Sequence, residues 1–346
     1  MVSTLTMGMK EFCYAVHGIG VRFLTDSPVM VAPATMLLRN FQCDALPFPP
    51  DITLRIESVS LRADIPVVVP ADGRVLYSAT GRAVGDSLRQ RWECRVVMHQ
   101  GTLYADFHEQ GLVVLDPERG LGEGYLVRPE AMHFDILDSY VHFMLTELLR
   151  YRGLCTMHAT ALEKQGLGVL IPGYSGRGKT TSFLSLLRSG YRYLSDDHPF
   201  LREHNGGVEL LSFPMKVDVT DATIGFFPEL RNARPGALHQ GPNKRYFYVE
   251  DIYNQAAIGN TCRPAVVLFP NVADAAESWL EPLPKSRVLE ELLPQGLVAY
   301  DNRVASRQFQ LLARLAQQVR CYRLHFGRDV TALPALIDPL LAEVRR

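Results

Sequence analysis

From position 173 to 180 the chain reads Gly-Tyr-Ser-Gly-Arg-Gly-Lys-Thr, which satisfies G-x-x-x-x-G-K-[ST] at every required position. Gly173, Gly176 and Gly178 let the backbone turn tightly and aim successive N–H groups inward, where phosphate oxygens accept them. Lys179 adds a mobile positive charge near the β- and γ-phosphates, and Thr180 offers a hydroxyl to Mg2+. Farther along, Asp196 and Asp197 stand side by side. Successive side chains alternate along a strand, so two adjacent carboxylates point in different directions and suit different tasks. One can hold Mg2+ and the other can accept the proton of an attacking hydroxyl. The alternative is a solvated turn, since Asp-Asp-His-Pro would cap a strand well. Upstream, His158 either orients a carboxylate or serves as a hydrogen-bonded core histidine.

These groups act together only if strands and helices converge on them. Before the loop, Leu167-Gly168-Val169-Leu170-Ile171 is an apolar run without polar alternation, as in a strand buried on both faces of a mixed or parallel sheet, and Pro172 ends it. After the loop, Phe183, Leu184, Leu186 and Leu187 recur at helical spacing between Thr180 and Ser189, with Gly190 where a C-cap is wanted. The loop therefore opens a helix whose N-terminal N–H groups and dipole face the phosphates. Tyr191 to Ser195 reads as a strand ending at the acids. Met157 to Leu162 reads as an earlier strand that Gln165-Gly166 turns back into the loop strand, and such a hairpin brings His158 toward the carboxylates.

The succession His158-Ala159, Gly168 to Thr180 and Gly190 to Asp197 resembles the catalytic domain of HPr kinase/phosphorylase, and most closely the broader set of HPr-kinase-related proteins. In that family a histidine-bearing strand, the phosphate loop, a helix ending at glycine and an Asp-Asp strand end follow in this order. The resemblance is strong from His158 to Asp197 and loose over the rest of the C-terminal half. It implies an α/β fold with a P-loop nucleotide-binding domain of the HPr kinase / phosphoenolpyruvate carboxykinase type, with ATP and Mg2+ as cofactors and phosphate transfer to a serine-type hydroxyl. It further implies that Gly173, Ser175, Gly176, Arg177, Gly178, Lys179, Thr180 and Thr181 bind the nucleotide, with Thr180 and Asp197 on the metal side. Asp196 would then be the base, supported by His158 and Lys179.

One part of the family pattern is missing. Members that act on HPr carry a later Glu-x-Arg-Gly-x-Gly signature, whereas the corresponding stretches here read Pro214-Met215-Lys216-Val217-Asp218-Val219 and Pro242-Asn243-Lys244-Arg245-Tyr246. Phosphorylase activity and HPr as acceptor are therefore not implied. Lys244 or Arg245 would reach a phosphate or the transition-state charge, or else form an ordinary exposed basic pair. The acceptor stays open among a peptide, a protein and a small-molecule hydroxyl. The competing reading is a P-loop ATPase or nucleotide-sensing module without an acceptor, and a homo-oligomer is left open.

The remaining composition narrows the class. With 36 basic and 37 acidic residues, the chain has no broad electrostatic preference for nucleic acid or anionic lipid. No apolar run approaches the length of a membrane span, and the start of the chain lacks a signal-peptide pattern. The six cysteines form no C-x-x-C pair and have no zinc-like spacing to histidine. A reducing, cytoplasmic setting is the expectation.

The 346 residues divide near position 130. Before it, β-like segments at 52–56, 74–78, 95–99, 102–107 and 112–115, separated by turn signals, predict a β-rich N-terminal domain spanning 1–130. Its histidines, His17, His99 and His108, are isolated. From 131 to 346 the prediction is the P-loop domain, led by an amphipathic helix from Phe134 to Leu149. Strand-like segments at 208–213, 265–269 and 321–326 alternate with helical patterns at 286–293, 304–319 and 333–344, favouring an α/β sheet with ligand at the strand ends.

Overall fold

Ile52, Leu54 and Ile56 are fully buried while the residues between them are partly exposed, the period-two signature of a strand with one covered face. The computed structural model describes residues 8–82, 91–173, 176–235, 244–298 and 301–345, and these fall into two units divided between Arg152 and Gly153.

The first unit contains β1 (Lys10–Val16), β2 (Ile19–Thr25), α1 (Pro28–Leu38), β3 (Gln42–Cys43), β4 (Ile52–Val59), β5 (Arg74–Arg82), β6 (Arg91–His99), β7 (Thr102–Asp106), β8 (Gly111–Asp116), β9 (Leu121–Val127) and α2 (Phe134–Tyr151). Its sheet has the order β3-β1-β2-β4-β9-β8-β7-β6-β5. β4 runs parallel to both β2 and β9, and β5 to β9 form an antiparallel meander. A parallel pair needs a crossover, and α1 supplies it between β2 and β4. The sequence reading misses α1 because Pro33 lies inside it, where proline normally breaks a helix.

Helix α2 corrects the predicted boundary. Sequence places it at the head of the second domain, but it packs on α1, β4, β8 and β9 and so belongs to the first unit. The physical reason is its stripe of Leu137, Tyr140, Val141, Met144, Leu145 and Leu148, all buried, which covers the N-terminal sheet.

The second unit contains β10 (Cys155–Thr156), β11 (Ala159–Lys164), β12 (Leu167–Pro172), α3 (Lys179–Arg188), β13 (Arg192–Ser195), β14 (Phe200–His204), β15 (Gly207–Leu211), β16 (Val217–Thr220), α4 (Asp221–Phe226), β17 (Arg234–Pro235), β18 (Lys244–Phe247), α5 (Val249–Tyr253), β19 (Thr261–Val272), β20 (Trp279–Pro282), α6 (Lys285–Gly296), α7 (Asn302–Gln318), β21 (Arg320–Phe326) and α8 (Leu333–Arg345). All six residues of β12 are buried, as its unbroken apolar run requires. It pairs antiparallel with β11 and parallel with β19, and β19 in turn runs parallel to β21.

Helices cover both faces of this sheet. Val169, Ile171 and Leu324 pack with Phe183, Leu186, Leu333 and Ile337 of α3 and α8 on one side. Leu170, Val267 and Phe269 pack with Leu292, Leu312 and Leu315 of α6 and α7 on the other. Each fully buried Leu or Phe of these layers contributes about 1.5–3 kcal/mol. With both faces closed, a ligand meets the sheet at the strand ends. A separate small sheet has the order β16-β18-β17. No helix among the described residues is long and apolar enough to cross a membrane.

Candidate functional site

The Gly-x-x-x-x-Gly-Lys-Thr residues lie between the carboxyl end of β12 and the start of α3. Gly173, Gly176 and Gly178 have φ of +150°, +83° and +90°, backbone states that a side chain would strain. Ser175, expected to join them, lies outside the described residues. α3 ends as the sequence predicts: Gly190 N–H donates to the Leu187 carbonyl at 3.1 Å and Tyr191 N–H to that of Leu186 at 3.3 Å, a Schellman closure with Gly190 left-handed. This stop sends the chain directly into β13 and its terminal acids.

Lys179, the first residue of α3, has a side chain only 7% exposed. Its Nζ donates to the Gly173 carbonyl at 2.6 Å and lies 2.9 Å from Asp197 Oδ1 and 3.1 Å from His158 Nε2. The β11–β12 hairpin positions that histidine: Ala159 pairs with Pro172, so His158 sits at the level of the loop's first glycine. His158 Nε2 is 3.2 Å from Asp197 Oδ1, and Nδ1 is 3.3 Å from Gln295 Oε1. The His158 N–H donates to the Gln295 carbonyl at 2.7 Å, which fixes the ring's base on α6.

The two acids occupy different environments. Asp196 is buried; its N–H donates to the Tyr193 hydroxyl at 2.8 Å, and that hydroxyl donates to the Met215 carbonyl at 3.3 Å. Thr160 Oγ1 donates to Asp196 Oδ1. Burial, followed by the charge of Asp197, pushes the Asp196 carboxyl up to about 7 against the opposing effects of Thr160 and Lys179. Asp197, half exposed and with φ of +73°, turns its carboxylate toward Lys179 and His158. Burial alone would raise it, but the His158 hydrogen bond and the Lys179 charge outweigh that effect and hold it well below the usual carboxylate range. His198 is lowered to about 4, chiefly by burial, with the charges of His158 and Lys179 adding to the shift. One acid is thus a fixed anion and its neighbour is poised near neutrality.

A cleft of about 960 Å3 opens over these groups. His158, Gly176, Gly178, Lys179, Thr180, Thr181, Asp196 and Asp197 all line it. It also holds Asp218 and Thr220 of β16, together with Asp274 and Arg328, which pair with each other at 2.5 Å. Sequence reading misses these four, because Val-Asp-Val-Thr is an ordinary alternating strand and the other two follow separate strands; only packing gathers them. Arg177 does not line the cleft. It borders a different cavity. Arg245 pairs with Asp221 at 3.1 Å and is not among the cleft's lining residues. The Lys244 side chain lies outside the described residues.

No family model matches the chain. Two curated proteins are similar over short segments. One is an HPr kinase/phosphorylase of Lactobacillus acidophilus, 38% identical over 71 residues, covering 19% of this chain and 22% of that protein. The other is an HPr kinase/phosphorylase of an Exiguobacterium species, 33% identical over 78 residues, covering 22% and 24%. The chain therefore spans about a quarter or less of the length of these relatives. The solved structure of the Hpr(Ser) kinase/phosphatase from Coxiella burnetii aligns with 55% of this chain and 90% of that one, at 15% identity and a TM-score of 0.32. Over these segments the chain is similar to HPr kinase/phosphorylases.

Proposed function

We propose that the protein is an ATP- and Mg2+-dependent phosphotransferase that moves the γ-phosphoryl group to a serine-type hydroxyl. The observation that carries this reading is the convergence of Lys179 Nζ, His158 Nε2 and Asp197 Oδ1 within 3.2 Å of one another beside a glycine-turned phosphate loop, with Asp196 in the same cleft. Phosphoryl transfer asks little covalent chemistry of a protein; positioning and charge stabilisation supply most of the acceleration.

Each residue has a task in that scheme. The loop N–H groups and the N-terminus of α3 hold the phosphates, and Lys179 neutralises charge at their γ end. Asp197 and His158 hold Lys179 in place before nucleotide arrives. Asp196, with a carboxyl near neutrality, suits the general base, because a base works best when its pKa lies near the working pH. Thr180, Asp197 and Asp218 offer hard oxygen donors to the same cleft, a set that suits Mg2+, which takes few protein ligands and completes its shell with phosphate and water. When bound, Mg2+ would offset the charge on the β- and γ-oxygens.

The test is transfer of label from γ-labelled ATP to any molecule in an extract of the source organism, comparing wild type with Lys179→Ala. Label on a distinct acceptor, reduced about 100-fold or more in the variant, is the expected result. Label recovered only as free phosphate would move the assignment to an ATPase or nucleotide sensor.

A further inference from the structure

Arg177 stands between two loop glycines, yet it is not among the residues that line the cleft containing Lys179 and the acids. It borders a second cavity of about 390 Å3, with Gly173, Asn271, Glu291, Gln295 and Arg323. The same strands serve both spaces. On β21, Arg323 and His325 line the second cavity while Phe326 lines the cleft; on β19, Phe269, Pro270 and Asn271 line the cavity while Val272, at the strand's end, lines the cleft. Both spaces lie at the carboxyl ends of β12, β19 and β21.

The cavity's charges are unevenly matched. Arg323 pairs with Glu291 at 2.5 Å and His325 with Glu281 at 2.9 Å. Arg177 is exposed and has no ion-pair partner among the described residues. The cavity also adjoins the reacting groups: its wall residue Gln295 contacts His158, which contacts Asp197, and its wall residue Gly173 accepts from Lys179. Lys179 marks the γ-phosphate end of such a loop. The cleft's lining also includes Thr180, Thr181, Phe326 and Val330, and its volume leaves room for the rest of a nucleotide.

We propose that this second cavity receives the phosphoryl acceptor, a small hydroxy acid whose carboxylate Arg177 holds. The inference rests on the phosphotransferase reading and names its substrate class. A guanidinium grips a carboxylate with two parallel hydrogen bonds, and the cavity has the size of a small-molecule site. Asn271 and Gln295 supply amide groups for the rest of the molecule. The acceptor's hydroxyl end reaches into the cleft past Gln295 and His158, which join the cavity wall to the reacting groups, and there it lines up with the γ-phosphorus. Its hydroxyl oxygen bonds to the γ-phosphorus, the bond from that phosphorus to the β–γ bridging oxygen breaks with its electron pair going to ADP, and the hydroxyl proton passes to Asp196.

The experiment uses the full chain with Mg-ATP or Mg-ADP and four probes: L-serine, D-glycerate, and their carboxylate-free counterparts serinamide and glycerol. Binding is read by saturation-transfer NMR and turnover by phosphate label. At least one acid should bind and be phosphorylated while the carboxylate-free probes are not. Arg177→Ala should weaken the acid about 10-fold to 100-fold and leave Mg-ATP affinity within about 2-fold, with partial rescue by Arg177→Lys. Equal loss of Mg-ATP affinity would place Arg177 on the nucleotide and overturn the inference. So would binding of Mg-ATP with neither acid bound, or label appearing only on a protein; in both cases the phosphotransferase reading stands. Failure of the wild type to bind Mg-ATP would sink that reading and the inference with it.

Discussion

Replacing Asp196 with Asn removes a buried ionisable group while keeping an oxygen that can accept from Thr160, so the consequence is readable in stability without knowledge of any substrate. The sign follows from the direction of the shift. The carboxyl is raised from 3.8 to about 7 on folding, so the folded chain holds this proton more tightly than the unfolded chain. Its contribution to stability is fully present below the unfolded value and is lost as pH rises through the folded one. Between about pH 5 and about pH 8, the wild type should lose about 2–3 kcal/mol relative to the Asn variant, from 1.36 kcal/mol per unit integrated over that window. For a unit of this size the loss corresponds to about 5–10 °C in Tm. The two tryptophans lie one in each unit, Trp92 and Trp279, so a Trp92→Phe background lets fluorescence follow the second unit alone. Thermal melts of both proteins across that pH range are the assay. A difference that stays flat with pH would show that Asp196 ionises in the folded protein as it does in the unfolded chain, and the base assignment would lose its physical support.

Three further outcomes follow from the same geometry. Acceptor turnover should rise with pH and level off above about 7, where Asp196 is deprotonated, and a rate independent of pH below that point would count against its role as base. Tyr193→Phe removes the hydroxyl that accepts from the Asp196 N–H and donates to the Met215 carbonyl, and should cost about 1–3 kcal/mol in chemical denaturation; a neutral result would mean those groups find other partners. Gly168→Ala places a Cβ 2.7 Å from Cys262 Sγ and 2.9 Å from Leu210 Cδ2, behind the loop strand, so it should cost about 1–3 kcal/mol while leaving nucleotide affinity unchanged.

Much of the site is legible in the sequence because its parts are local. The glycine spacing, the apolar run of β12, the stripe of α3 and the stop at Gly190 are each encoded within a few residues, and together they position Lys179 and deliver the chain to Asp196 and Asp197. The β11–β12 hairpin is equally local, and through it His158 reaches Asp197. What the sequence leaves undecided depends on contacts between distant segments. The unequal states of the two acids come from burial, from Thr160 on a neighbouring strand and from the partners of Asp197. Asp218, Asp274 and Arg328 join the cleft only because their strands pack beside it. The home of α2 was set by which sheet needed covering, a question its own amphipathic pattern cannot answer. Nor can a loop motif say which space its variable residue borders: Arg177 lines the second cavity together with residues of β19 and β21, which come beside the loop only when the sheet is assembled.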